Sequence, residues 1–260
     1  MLALFATGCA PSLMKLPAGS GTPAPDAADA LIDATAACNA VSSISAEIAV
    51  SGSVAGRRLR ARLLAGLASP SSARLEAVAP AGQPIFILVA TADDATLLFP
   101  RDQRVLQHGR PAAVLEAVAG VPLDPADLRA TLTGCPAAAA AAENGRRLGN
   151  DWRAVTVGPT DVYLRRYQRE SKWQLVAAVR HASAAADREW RAEYADFENG
   201  LPRSVRLTSA PDGRFDLRLT LSQLELNTPL GPDVFRVEIP PAAEPLTLEE
   251  LKRSGFGIRN

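Results

Sequence analysis

The sequence predicts an α+β fold: a single strongly curved antiparallel sheet, shaped as a half-open barrel of about ten or eleven strands and covered by lid helices. Three observations predict it. Apolar and polar residues alternate with period two along most of the chain, two short helical signals interrupt the strands midway, and one helical signal stands at each end. No linker-like segment divides the strand series, so residues 26–260 are expected to form one domain.

The composition is that of a globular protein. Of 260 residues, 47% are hydrophobic and 22% are charged, which excludes intrinsic disorder. The 28 basic and 28 acidic side chains balance, which argues against a nucleic-acid partner because phosphate binding needs a cationic excess. No apolar run approaches the ~20 residues of a membrane-spanning helix. We expect a monomer.

The first 25 residues are typical of an exported, lipid-modified protein. Residues 1–8 are predicted to be the remnant of a lipoprotein signal peptide, because an apolar run ends in small residues before Cys9. Cys9 is then the predicted acylation site (palmitate-type chains), and residues 9–25, rich in Pro, Gly, Ser and Ala, a flexible tether. The alternative is an apolar N-terminus with an incidental cysteine. Lipidation implies the cell envelope, and Ala10 favours the periplasmic face of the outer membrane.

The first half of the folded part predicts one helix and then six strands. Asp26 is the expected cap of a helix whose apolar residues recur at helical spacing as far as Cys38. After Val41 the period becomes two, with apolar residues on one side and arginines and other polar residues on the other. The strands are expected over 44–51, 58–65, 74–77, 85–90, 96–99 and 104–107.

Two short helices in the middle of the chain are the expected lid. The first begins at Pro111 and ends near Gly120, and the second has Asp124 as its cap and residues 134–136 as its stop. The apolar lid residues are Val114, Leu115, Val118, Leu128 and Leu132.

The second half resumes the strand pattern. Strands are expected over 152–157, 162–167, 173–179, 190–197, 205–209 and 214–221, with a hairpin turn at 211–213. A last strand is expected over 235–239. A terminal helix should begin at Thr247, where Glu250 completes a capping box, and end at Gly255.

This order of elements resembles the LolA/LolB-type superfamily of bacterial lipoprotein carriers. Three local matches resemble LolB-type outer-membrane lipoprotein receptors: residues 79–83 (APAGQ) between two strands, residues 120–136 at the lid, and residues 226–240 at the closing strand. The resemblance implies an apolar cavity under the helices that binds the acyl chains of lipoproteins or other lipids. It also implies a soluble LolA-like carrier as partner and membrane attachment through Cys9.

The resemblance gives roles to individual residues. The hairpin tip is Pro80, Ala81 and Gly82, where Ala81 replaces the exposed leucine of LolB-type receptors, and Thr131 stands where they have a lid tryptophan. The ligand cavity is formed by residues that period two places on the inner face: Ile48, Val50, Leu63, Leu75, Trp173, Leu175, Trp190, Tyr194, Leu217 and Leu219. Core packing is the alternative role for the aromatic residues.

The sequence contains no enzyme signature, no cofactor motif and no metal-ligand spacing around His108 or His181. Cys38 and Cys135 both lie near helical segments, and an oxidising periplasm permits a disulfide between them; two buried free thiols are the alternative. We therefore expect a non-enzymatic envelope lipoprotein that binds acyl chains. The alternative is a structural or assembly lipoprotein with the same fold and a closed core.

Overall fold

The structure is a computed structural model that describes residues 12–121, 123–135, 142–168, 171–182, 189–210 and 213–254. Several positions of the sequence predictions lie outside these ranges: residues 1–8, Cys9, Pro122, Pro136, Pro211, Asp212 and Gly255. None of the described helices combines the length and the apolar character needed to cross a bilayer.

One sheet of fifteen strands and four α-helices make up the described residues. The strands are β1 (Thr22–Pro23), β2 (Ser43–Val54), β3 (Arg57–Ala68), β4 (Ser72–Val78), β5 (Pro84–Ala90), β6 (Ala95–Phe99), β7 (Arg104–Gly109), β8 (Ala142–Arg147), β9 (Trp152–Val157), β10 (Thr160–Arg165), β11 (Gln174–Arg180), β12 (Glu189–Glu198), β13 (Leu201–Ala210), β14 (Phe215–Leu226) and β15 (Glu244–Pro245). The helices are α1 (Ala27–Asn39), α2 (Pro111–Ala119), α3 (Pro125–Thr133) and α4 (Leu248–Ser254).

The sheet is open, with the order β1-β8-β9-β10-β11-β12-β13-β14-β2-β3-β4-β5-β6-β7-β15. Every neighbouring pair is antiparallel except β15 with β7. A flat sheet of this width would measure about 65 Å at ~4.8 Å per strand, far more than four short helices can cover. Because one continuous core nevertheless joins the helices to strands throughout the sheet, the sheet must wrap around them.

The strand count of ten or eleven was too low, because three of the fifteen strands carry no hydrophobic alternation. β1 and β15 are two-residue pairings that carry no period-two signal. β8 has the sequence AENGRR and buries none of its residues, so hydrophobic alternation does not reveal it. The predicted strand at 235–239 is wrong: a 3₁₀ turn at Pro232–Phe235 leads into extended chain without strand pairing.

The segment after β14 explains that error. Residues 227–243, here called the strap, cross the outer face of the sheet. The Asn227 amide donates to the Ser43 carbonyl (3.0 Å), and the Arg74 guanidinium donates to the carbonyls of Val234 and Arg236 (3.1 and 2.8 Å). The apolar residues of the strap therefore cover part of the outer face near Gly66 and Arg74 and do not extend the sheet.

A β-bulge shifts one predicted inner face. The pairing of β10 with β11 changes register between Tyr163 and Leu164, which places Leu175 opposite Leu164. Trp173, Leu175, Ala177 and Val179 were expected to share one face; the shift turns Ala177 and Val179 outward instead. Period two fails here because a bulge adds one residue to the strand.

The folded body begins before the predicted helix. Thr22–Pro23 pairs with β8, and Ala24 is buried, its amide donating to the Gly145 carbonyl (2.9 Å). Further upstream, the Met14 amide donates to the Glu193 carboxylate (2.9 Å) on the outer face of β12. Within the predicted tether over 9–25, Met14 and residues 22–24 therefore contact the sheet.

Candidate functional site

The inner face of the sheet is packed with apolar side chains. Eight of the ten residues predicted to line a ligand cavity lie in this core, none more than 7% exposed: Ile48, Val50, Leu75, Leu175, Trp190, Tyr194, Leu217 and Leu219. The inner-face prediction was right for these positions, but protein atoms surround their side chains. Two surface clefts, of about 330 Å³ beside the strap and about 660 Å³ beside Pro17 and Thr22, open outside this core.

Leu63 and Trp173, the other two predicted cavity residues, are half-buried. Trp173 is held between two guanidinium groups, with the Arg153 Cζ 4.9 Å and the Arg166 Cζ 4.6 Å from its ring centroid. Such cation–π contacts fix the indole at the edge of the core. Trp173 therefore packs against the apolar core and also contacts two guanidinium groups.

Arg153 is a charged side chain on the inner face of β9. Its residue is 5% exposed, and its guanidinium donates to both carboxylate oxygens of Asp26, from Nε at 3.1 and 3.2 Å and from Nη2 at 2.8 Å. Asp26 occupies the N-cap position of α1 as predicted, but its side chain makes no capping hydrogen bond, because its carboxylate is bound by Arg153. The sequence did contain a signal for this pair. Arg153 is a charged residue at a position that period two assigns to the same inner face as Val155 and Val157.

The Asp26–Arg153 pair predicts acid sensitivity. The hydrogen bonds from Arg153 hold the pKa of the Asp26 carboxyl below its usual range. Because the pKa is lowered in the folded state, the pair stabilises the protein above the unfolded-state pKa of about 4, and this contribution is lost as pH falls through the folded-state value. In urea unfolding at pH 7 and at pH 3, Asp26→Asn should flatten the acid-induced loss of stability. Asp33→Asn, on the exposed side of α1, should leave that loss unchanged; an equal effect of both variants would contradict the assignment.

Near the β2–β3 hairpin, the helices leave some apolar side chains of the inner face accessible to solvent. Leu59, Ala61 and Leu63 alternate along β3, half-buried, and Ile85 on β5 and Leu128 on α3 are half-buried too. We call these five residues the mouth. They are apolar side chains packed against the core on one side and accessible to solvent on the other.

The helix α2 lies against the core through apolar contacts alone. Its lid residues Val114, Leu115 and Val118 are buried, and among the described residues no α2 side chain makes a hydrogen bond or ion pair. It ends at Gly120, whose φ of 74° is left-handed; a Cβ there would lie 2.5 Å from a methyl group of Val54 at the end of β2. Only glycine allows the lid to approach the hairpin this closely.

The helix α3 is held much more firmly. Its cap is as predicted: the Asp124 carboxylate accepts from the Asp127 amide (2.7 Å). Arg180 on β11 pairs with Asp127 (2.8 Å), and Arg129 donates to the Val41 carbonyl (3.1 Å). Its lid residues differ in burial: Leu132 is 2% exposed, whereas Leu128 lies at the mouth.

A disulfide joins α1 to the second residue after the end of α3. Cys38 and Cys135 are bonded, with their Cα atoms 5.6 Å apart and a sequence separation of 97. The bridge ties α3 to the first helix, while α2 has no such tie within the described ranges. Of the two lid helices, α2 is therefore the one that can move without breaking covalent or ionic contacts.

The predicted hairpin tip connects β4 to β5 next to the mouth. Pro80, Ala81 and Gly82 are all exposed, and Gly82 has a φ of 82°. The turn is closed by the Gly82 amide, which donates to the Ala79 carbonyl (2.8 Å). The tip thus presents only the small apolar surface of Ala81.

No metal or nucleophile site emerges from the described residues: no group of three His, Cys, Asp or Glu side chains is placed to hold an ion. His108 lies 3.3 Å from Asp94, and His181 lies 3.4 Å from Asp161 and 3.3 Å from Glu189. Both histidines therefore sit in exposed ion-pair positions.

The fold is similar to that of two solved bacterial proteins. A LolA superfamily protein, NE2245 from Nitrosomonas europaea, superposes with a TM-score of 0.55 at 12% identity, over 81% of this chain and 97% of that one. A putative outer membrane lipoprotein-sorting protein domain from Vibrio parahaemolyticus gives a TM-score of 0.50 at 12% identity, over 81% and 96%. No protein-family model matches the sequence, and comparison with curated proteins finds no match. At this level of identity the likeness shows the fold, which is the fold that the sequence resemblance implied.

Proposed function

We propose that this protein, built on a LolA-superfamily fold, is a non-enzymatic envelope lipoprotein that binds a single acyl chain on the inner face of its sheet, entering at the mouth. The observation that carries the proposal is the apolar mouth itself. Leu59, Ala61 and Leu63 are half-solvated apolar side chains that pack directly against the apolar core. A hydrocarbon chain laid on them would gain about 0.8 kcal/mol for each CH₂ group removed from water.

Displacement of α2 would make room for more of the acyl chain. Val114, Leu115 and Val118 fill the core with side chains of the same chemistry as an acyl chain, so their displacement exchanges one apolar contact for another. The absence of polar ties on α2 within the described ranges keeps the cost of displacement low. The Cys38–Cys135 bridge and the Arg180–Asp127 pair would keep α3 in place meanwhile.

The same proposal includes anchoring through an acylated Cys9 and a location on the periplasmic face of the outer membrane. Acylation of Cys9 is supported by the small residues before it and by the segment rich in Pro, Gly, Ser and Ala after it. The two solved proteins with this fold are named for lipoprotein sorting or for the LolA superfamily, which supports lipoprotein acyl chains as the ligand class. A LolB-type receptor that accepts cargo from a soluble LolA-like carrier is the specific form of the proposal.

The mouth can be tested with a matched pair of variants on β3. Leu63 points inward and is half-buried, whereas its neighbour Leu64 points outward and is 42% exposed. Leu63→Gln should weaken binding of a fluorescent fatty acid about tenfold, because the amide loses hydrogen bonds to water when a hydrocarbon covers it. Leu64→Gln should bind the probe like the unchanged protein. Equal affinities of both variants would contradict the mouth as the entry point.

A second candidate function follows from the packing of the core. Eight of the ten predicted cavity residues are buried by protein atoms, which favours a structural or assembly lipoprotein with a closed core. The same probe separates the two functions. Saturable fatty-acid binding supports the acyl-chain carrier, while no binding, together with no lipid in native mass spectrometry of the purified full chain, would leave the closed-core function in its place.

A further inference from the structure

Arginines line up in rows on the outer face of the sheet. The pairing registers place five residues of one row side by side on β12, β13, β14, β2 and β3: Glu193, Arg206, Arg218, Ser51 and Arg60. The row on one side contains Arg191, Thr208, Asp216, Ser53 and Arg58, and the row on the other contains Ala195, Ser204, Thr220, Ala49 and Arg62. We call these three rows the arginine surface.

The arginine surface is strongly cationic on a chain with no net charge. It holds six arginines and two acidic residues, and both acids are already paired: Glu193 with Arg191, and Asp216 with Arg206 (2.7 Å). Arg62 lies 3.7 Å from Glu47. The other three arginines, Arg58, Arg60 and Arg218, are exposed and make no hydrogen bond or ion pair with any described residue.

The surface is also open. The strap crosses the sheet near Gly66, where an added Cβ would lie 3.6 Å from Val234 and 3.7 Å from Leu230. That crossing is at the far end of β3 from Arg58 and Arg60. The unpaired guanidiniums therefore face solvent over β14, β2 and β3.

The N-terminal segment reaches the same face. Met14 is held on the outer side of β12 through the Glu193 carboxylate, which belongs to the arginine surface. Met14 lies five positions after Cys9, a span of at most about 18 Å when fully extended. If Cys9 is acylated, as the proposed function has it, the anchor holds this face close to the membrane.

We propose that the arginine surface docks the protein on anionic phospholipid headgroups. The charge of the surface complements a phosphate-rich plane, and four strand spacings of about 4.8 Å spread it over ~19 Å. The strand β3 then has two functions: its arginines contact headgroups on one side, and Leu59, Ala61 and Leu63 form the mouth on the other. Docking would thus hold the mouth close to the membrane, on the side of the sheet that faces away from the headgroups.

The test uses vesicle binding by the full chain carrying Cys9→Ser, so that no acyl anchor contributes. The protein should sediment with vesicles containing phosphatidylglycerol at about 0.1 M salt, but not with pure phosphatidylcholine vesicles and not at about 1 M salt. Arg58→Gln combined with Arg60→Gln should weaken this binding about thirtyfold, at roughly fivefold for each charge near an anionic surface.

Two matched double variants make the result specific. Arg58→Lys with Arg60→Lys keeps the charge and should keep the binding. Arg236→Gln with Arg253→Gln removes two exposed arginines elsewhere and should bind like the parent protein. Equal binding to both vesicle types, or equal loss in the two glutamine variants, overturns docking. Fatty-acid binding is measured in a separate experiment. If the protein binds vesicles but no fatty acid, the proposed function is refuted and membrane docking is not.

Discussion

Replacing Cys38 and Cys135 together by serine is expected to lower the free energy of unfolding by about 3 to 5 kcal/mol. The bridge closes a loop of 97 positions, and a cross-link over so long a loop removes much of the conformational entropy of the unfolded chain. The loss should be greater than that of an ordinary surface substitution, which changes stability by about 0.5 kcal/mol or less.

Urea unfolding at pH 7, followed by tryptophan fluorescence, measures this difference. Cys9→Ser is the matched control, because it removes a thiol that forms no part of the bridge, and it should leave the urea midpoint unchanged. The unchanged protein treated with a reductant should unfold at the midpoint of the double variant. A midpoint that neither treatment shifts would mean that the two cysteines are not bonded in solution.

The same bridge divides the lid into a fixed and a movable part. With Cys135 joined to α1 and Asp127 joined to Arg180, the helix α3 is attached at both ends. The apolar contacts of α2 have no such reinforcement in the described part of the chain. Of the two predicted lid helices, α3 is thus fixed by covalent and ionic contacts, whereas α2 packs against the core through apolar side chains.

Periodicity predicted the regular part of the fold because one face of nearly every long strand is buried. On β2 the buried residues Ile44, Ala46, Ile48 and Val50 follow period two without interruption. On β8 no face is buried, and the strand is held by pairing alone, so its sequence carries no alternation. The strap shows the opposite error. Its apolar residues pack on the outer face of the sheet without pairing, and apolar character alone does not distinguish such a segment from a β-strand.

The candidate site was predictable only in part. Alternation places Leu63 on the inner face and Arg60 on the outer face, and the lid residues follow from helical spacing. Which inner residues remain accessible depends on where α2 and α3 end over the sheet, and that is a tertiary property. The rows of arginines depend on strand register across β12, β13, β14, β2 and β3, which local sequence does not contain.

Gly52→Ala is expected to destabilise the protein by about 3 to 5 kcal/mol, because its β-carbon has no room where β2 meets β14. Gly52 has a φ of 141°, and a Cβ at this position would lie 1.9 Å from the Asp216 carbonyl oxygen. The backbone of one of the two strands would have to shift. The register that brings Ser51 beside Arg218 would shift with it.

Gly56→Ala in the adjacent turn separates this clash from the general cost of a left-handed backbone. Gly56 has a φ of 75° but nothing within 4 Å of an added Cβ, so its replacement should cost only about 1 to 2 kcal/mol. Thermal or urea unfolding of both variants gives the difference. If the two alanine variants are equally stable, β14 does not approach Gly52 as closely as this register requires. In that case Arg218 need not lie in line with Arg60, and the arginine surface loses its continuity across the sheet.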